Sequence, residues 1–276
     1  MQSLNDIIDS YVHNNNRTKN REDLQTRIHS DIFFRYNSVN LVIGKRQSGK
    51  TYSTLREILK LPLLLGNQNK YTQIYYITDK HQDDTVDMFK PAFTKLKFMF
   101  NWVSTSDAEV LINSLSELKA DLSNSEWKDD NADDIGAYYE LLNCRPDQTP
   151  HTIIIFDDCI GLFSKASSLS KKLFENRQSR ITYFLLLQDV QGISPSMKAN
   201  IDSLTLFGGF PKHKFTTLFY QLPPVDLDFD TYAGLSTQDA VRIDYIESSV
   251  KILTRNKNDF RTTREDYDNT DYRFHN

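Results

Sequence analysis

Hydrophobic and polar positions alternate between two regimes along this chain. Short, nearly continuous apolar runs recur at 38–43, 72–78 ("TQIYYIT"), 98–103 ("FMFNWV"), 151–158 ("HTIIIFDD"), 181–188 ("ITYFLLLQ") and 203–209 ("SLTLFGG"). Their length and β-branched content predict strands buried on both faces, as in a parallel sheet. Between them lie stretches with helical spacing. Thr51–Leu59 places Tyr52, Leu55, Ile58 and Leu59 on one face, and Val110, Leu111, Leu115 and Leu118 form a second such set. Strands alternating with helices predict βαβ units and an α/β fold with a mostly parallel central sheet flanked by helices.

The pattern also divides the chain. Residues 1–31 are polar, with weak helical spacing at Leu4, Ile7, Ile8 and Tyr11, and read as a helical arm. The main domain runs from 32 to 254. Within it, 104–150 is polar and acidic, and is expected to be an insertion at the edge of the core, with "SEWKDDNADD" as a loop. The tail, 255–276, is charged and Asn/Asp-rich and is expected to be disordered.

The first strand runs into Gly44-Lys45-Arg46-Gln47-Ser48-Gly49-Lys50-Thr51-Tyr52. Strand, glycine-rich turn and helix in that order make a phosphate-binding loop. Its backbone N–H groups turn inward and the helix N-terminus adds partial positive charge. Residues 44–52 are therefore the candidate nucleotide-binding segment. Lys50 is expected to reach the β and γ oxygens of ATP, and the Thr51 hydroxyl to ligate Mg²⁺.

A triphosphate site needs a carboxylate partner, and "TIIIFDD" carries two at the end of a buried run. Asp157 is expected to serve the Mg²⁺ shell, and Asp158 to orient or deprotonate an attacking water. Either could instead cap the turn that follows. Gln188 ends the next strand, where its amide could bond both a γ-phosphate oxygen and that water, or simply a neighbouring loop. Arg177 and Arg180 precede the same strand, at the opposite end of the sheet from Gln188. They are placed to reach a neighbouring subunit's phosphate rather than their own, or to sit as solvated charges at a helix end.

Composition narrows the classes. The chain has 276 residues, 39% of them hydrophobic, and a formal net charge of −4. There is no global basic field, so any contact with nucleic acid must come from a local patch or a pore built by several subunits. Two such patches are visible: Lys165, Lys171 and Lys172 in "SKASSLSKK", and Lys212, His213 and Lys214 in "FPKHKF". Both are also compatible with ordinary surface lysine. The two cysteines, Cys144 and Cys159, exclude a disulfide framework, and the six histidines show no metal-ligand spacing. No apolar run is long enough for a membrane helix, and the first residues lack a signal-peptide pattern, so a soluble intracellular protein is expected.

Taken together, "GKRQSGKT", "IIIFDDC" and "RQSRITYFLLLQDVQGISPSMKANIDSLTLFG" resemble the FtsK–HerA superfamily of P-loop ATPases. Within it they are most similar to the poxvirus-type genome-packaging ATPases of large DNA viruses and virophages. The resemblance covers about 38–210, interrupted at the acidic segment. It rests on the spacing of Arg177, Gln188, Ile193–Pro195 and Asn200. Asp158 stands where the wider superfamily usually has glutamate, although paired aspartates are common in the viral subgroup.

The resemblance implies that the strand ending at Gln188 lies between the loop strand and the Asp157 strand. It also implies a ring of five or six copies around double-stranded DNA, a capsid or portal protein as partner, and action in the host-cell cytoplasm at the virus factory or on the virion. Three alternatives stay open at this stage: a cellular or plasmid DNA translocase, a P-loop nucleotide kinase, and a non-hydrolysing nucleotide switch or scaffold.

Overall fold

The structure is a computed structural model. It describes residues 34, 37–59, 72–96, 98–124, 152–163, 168–175, 181–189, 195–198, 200–220, 222–255 and 272–275. In chain order its elements are β1 (Val39–Ile43), α1 (Lys50–Leu59), β2 (Gln73–Ile77), α2 (Asp84–Lys95), β3 (Met99–Val103), α3 (Ala108–Asn124), β4 (Thr152–Asp157), α4 (Ser168–Phe174) and β5 (Ile181–Leu187). There follow α5 (Pro195–Lys198), β6 (Ser203–Phe207), α6 (Lys212–Phe219), α7 (Phe229–Ala233), β7 (Ala240–Asp244), β8 (Ser249–Arg255) and β9 (Tyr272–His275).

The strands form one sheet in the order β3-β2-β4-β5-β1-β6-β7-β8-β9. The first six in that order pair in parallel and the last three extend the sheet antiparallel. The six apolar runs of the sequence are the six parallel strands, and the expected mostly parallel α/β sheet is the one found.

Every residue of β1, β4, β5 and β6 is buried. The reason is the two-residue period of a strand, which sends alternate side chains to opposite faces. Leu41, Ile43, Ile154, Phe156, Leu185, Leu187 and Leu206 join one core, where Ala108, Ile112 and Leu115 of α3, Leu169 and Leu173 of α4, and Phe215 and Leu218 of α6 cover them. Val42, Ile153, Ile155, Phe184 and Leu186 join the other, against Leu55 and Ile58 of α1 and Phe89 and Phe93 of α2. With both faces covered, a polar residue interrupting either set would be costly, and the runs therefore read as continuous.

Three stretches differ from the sequence reading. The sequence pattern places 104–150 at the edge of the core. The first part of that segment is instead the crossover helix α3, whose apolar face closes one side of the sheet, while 125–150 lies outside the described residues. The tail was expected to be disordered, yet Tyr272–His275 pairs with β8 in the register Ile252↔His275 and Leu253↔Phe274. The helix α2 was not predicted. Its start is fixed by Asp83, whose side chain accepts from the N–H groups of Thr85 and Val86. The N-terminal arm, 1–31, lies outside the described residues.

Candidate nucleotide site

Strand order builds the site. Because β5 lies between β4 and β1, the ends of three neighbouring strands deliver Asp157, Gln188 and Gly44 side by side. The register pairs Asp157 with Leu186 and Ile43 with Leu187. Beyond it, the Gly44 N–H donates to the Leu187 carbonyl at 3.0 Å and the Asp158 N–H to the Leu186 carbonyl at 3.0 Å. Ligands of open α/β sheets bind at this edge, outside the carboxyl ends of the strands.

The loop from Gly44 to Gly49 turns tightly into α1. Gly49 takes φ +98° and Gln47 φ +62°, both left-handed, and the former is a conformation glycine adopts without steric cost. Gly44 is there for space: a Cβ would lie 2.3 Å from Ser48 Oγ and 2.9 Å from Phe207 Cβ. Lys50 folds back over the loop, its buried ammonium donating to the carbonyls of Gly44 at 2.8 Å and Lys45 at 3.2 Å. Burial draws its pKa below the ordinary lysine value; the charges of Asp158 and then Asp157 work the other way. Ser48 Oγ is buried at the centre of the loop with no hydrogen-bond partner. Lys45, Arg46 and Gln47 are exposed. Tyr52, the last residue of the candidate binding segment, has a buried side chain. Its ring packs edge-on against Phe89 of α2, with centroids 5.3 Å apart, so only its backbone, in the first turn of α1, can serve a phosphate.

Opposite the loop stand the two aspartates. Asp157 is buried, and its Oδ2 accepts from the Tyr76 hydroxyl at 2.7 Å and from the Lys80 ammonium at 2.6 Å. The Thr51 side chain neighbours the Tyr76 hydroxyl and works to lower its pKa. Burial, then the charge of Asp157, pushes the Tyr76 pKa far above the ordinary tyrosine value, so the phenol stays protonated. Asp158 is more exposed and sits at φ +60°, a left-handed position that Asp tolerates better than most residues. Its Oδ2 accepts from Gln188 Nε2. The structure thus brings together Lys50, Thr51, Asp157, Asp158 and Gln188.

Arg177 and Arg180 lie outside the described residues, as do Lys165, Ile193 and Ser194. Lys172 pairs with Glu175 at 3.1 Å, and Lys214 is bonded to Asp189, next to Gln188. Asn200 is exposed, its N–H donating to the Met197 carbonyl at 3.1 Å.

Two functional groups were not singled out from sequence. Tyr76 lies inside an apolar run, where an aromatic residue reads as core. Lys80 sits in "TDKHQDD", where a lysine reads as a solvated charge. The one available signal is position: both lie at or just past the end of the strand beside the Asp157 strand.

No family model matches this chain, and no curated protein matches it. Solved structures do. The genome packaging NTPase B204 from Sulfolobus turreted icosahedral virus 2, in complex with sulfate, is similar with a TM-score of 0.54 at 12% identity, over 79% of this chain and 96% of its own. Its complex with ATP-gammaS gives 0.51 at 12%, over 78% and 95%. The type VII secretion ATPase EccC of Thermomonospora curvata gives 0.49 at 13%, over 78% of this chain and 25% of its own. At such identities the likeness to the two B204 structures is one of fold, and it agrees with what the loop and the strand order establish independently: this chain has the fold of a P-loop NTPase.

Proposed function

We propose that this chain is an ATP-hydrolysing motor that moves double-stranded viral DNA into a preformed capsid, acting as a homo-oligomeric ring of five or six copies at the virus factory of the host cell. The observation that carries the chemistry is the contact between Gln188 and Asp158 at the mouth of the phosphate loop, with the Lys50 ammonium under the charge of both aspartates. A water-positioning amide and a carboxylate base, beside a phosphate-binding lysine, are the parts that hydrolysis of a γ-phosphate needs. The packaging assignment is supported by the motif spacing and by the fold shared with a genome packaging NTPase.

The oxygen donors suit Mg²⁺. The Asp157 carboxylate accepts from the Tyr76 hydroxyl, and the Thr51 side chain neighbours that same hydroxyl, so two hard ligands lie on one side of the loop. An ion there would be held by one or two protein oxygens, with phosphate and water completing its shell. Bound there, Mg²⁺ would neutralise charge on the β and γ oxygens. Lys50 leaves the loop carbonyls for the phosphate; the loop N–H groups hold the β-phosphate; Gln188 and Asp158 orient the water, Asp158 taking its proton. Arg177, lent by the adjacent copy, stabilises the transition state.

The test is phosphate release from ATP with and without duplex DNA, run beside an assay for transfer to nucleosides. Turnover raised by duplex DNA is the expected result. Transfer to a nucleoside would replace the motor with a kinase, and negligible turnover in both conditions would leave a nucleotide switch. Arg177→Ala is expected to lower turnover by about 10³–10⁵-fold and to regain activity when mixed with Lys50→Ala subunits. Failure to regain it in demonstrably mixed rings removes the trans arginine.

A further inference from the structure

We propose that Lys80 is a tethered counter-cation for Asp157, which competes with the divalent metal and so sets how tightly the site takes it. The inference rests on the nucleotide-site reading above. A carboxylate as buried as that of Asp157, whose side chain is 2% exposed, is unfavourable without a positive partner. Lys50 does not supply it by contact, since its ammonium is spent on the loop carbonyls. Lys80 does, at 2.6 Å, and on the same Oδ2 that accepts from Tyr76. The carboxylate expected to serve the metal already carries a cation.

Lys80 is also built to let go. Its backbone is pinned: the Trp102 Nε1–H donates to its carbonyl at 3.1 Å, and its own N–H donates to Thr78 Oγ1 at 3.3 Å. Its side chain is 43% exposed, and Asp83 Oδ2 lies only 3.4 Å from the ammonium, with Asp158 Oδ2 at 4.0 Å. A four-carbon stem on a fixed backbone can pass its charge from Asp157 to Asp83 without unfolding anything. Asp83 is held for that purpose, its other oxygen being engaged by the N–H groups of Thr85 and Val86 at the start of α2. Entry of the metal therefore displaces one positive charge by another, and its release is assisted by the returning ammonium.

The experiment measures Mn²⁺ binding by electron paramagnetic resonance in the full chain, in the presence of a non-hydrolysable ATP analogue. Lys80→Met keeps the stem and removes the charge; Lys80→Arg keeps a charge. Mn²⁺ affinity is expected to rise about tenfold in Lys80→Met, within the range by which outer groups tune a metal, and to stay near wild type in Lys80→Arg. In chelator without nucleotide, Lys80→Met is expected to melt below wild type, with Mn²⁺ restoring the difference. Unchanged or weaker Mn²⁺ affinity in Lys80→Met overturns the proposal, weaker affinity with lost turnover pointing instead to direct contact with phosphate. A melting deficit that Mn²⁺ does not repair overturns it too. Wild-type protein that takes up no Mn²⁺ with the analogue would instead overturn the nucleotide-site reading beneath it.

Discussion

At the scale of single residues, Asp158 shows how backbone and chemistry are joined. Its left-handed φ turns the carboxylate out of the sheet edge towards Gln188, while Asp157, one residue earlier, stays buried in the strand. Asp158→Asn keeps a residue that tolerates this conformation and removes the proposed base. It is expected to bind nucleotide with near wild-type affinity and to lower turnover by about 10²–10⁴-fold, read by fluorescent-nucleotide titration beside phosphate release. Gly44→Ala drives a methyl into Ser48 and Phe207. It is expected to destabilise the fold by about 1–3 kcal/mol, seen as a lower urea midpoint, with weaker nucleotide binding. Asp157, Asp158 and Gln188 were legible in the sequence because each is a polar group at the end of an apolar run, where only function or a turn explains it, and Lys50 because it closes a glycine-rich loop between a strand and a helix. Tyr76 and Lys80 were not. The hydroxyl of Tyr76 matters through a partner 81 residues away in the chain, and no local pattern carries that information.

At the scale of elements, the parallel strands were readable because burial on two faces leaves an unbroken apolar signature. The helix α2 was hidden by Pro91, which lies inside it and normally argues for a break, although Asp83, Asp84 and Asp87 suit its start. Tertiary packing of Val86, Phe89, Ala92 and Phe93 overrides the proline. The antiparallel strands β7–β9 were missed as well. They occupy a region to which no element had been assigned, and β9 lies in a charged stretch, so their stability comes from the template offered by β6. The short helix α7 has a definite task. Its Tyr232 hydroxyl donates to the Phe207 carbonyl at 2.7 Å and accepts from the Phe210 N–H at 3.1 Å, stapling the double-glycine turn that follows β6. Tyr232→Phe leaves both groups buried and unpaired. A loss of about 1–3 kcal/mol is expected from chemical denaturation, larger than the isosteric change alone would give.

At the scale of the whole molecule, buried acids that resist ionisation make the fold sensitive to alkali. Burial, with the charge of Asp157 second, pushes the Cys159 thiol up to about 12, and burial raises Tyr232 to about 12. Burial also raises Tyr75, Tyr76, Tyr183 and Tyr245 above the ordinary tyrosine value of 10.0. A group with a raised folded pKa contributes stability that is fully present below its unfolded value and is lost as pH climbs through the folded one. Lys50 and Lys198, lowered by burial, act oppositely, but only below the ordinary lysine value of 10.5. Between pH 10.5 and 12 the acids therefore decide the sign. The urea midpoint is expected to fall from pH 10.5 to pH 11.5, and a midpoint unchanged over that range would show that these groups ionise in place.

The central position of β5 has a consequence for biosynthesis. The first strand has neighbours only in β5 and β6, and a hydrogen bond such as that from the Asn37 N–H to Thr182 Oγ1 spans 145 residues of chain. A nascent polypeptide leaving the ribosome thus carries its glycine-rich turn for most of translation with no scaffold to hold it. At about 5–20 residues per second, many seconds pass before the closing strands emerge. A stalled or truncated product ending before residue 181 would be blind to ATP, which makes capture on an immobilised nucleotide a sorting step for completed chains.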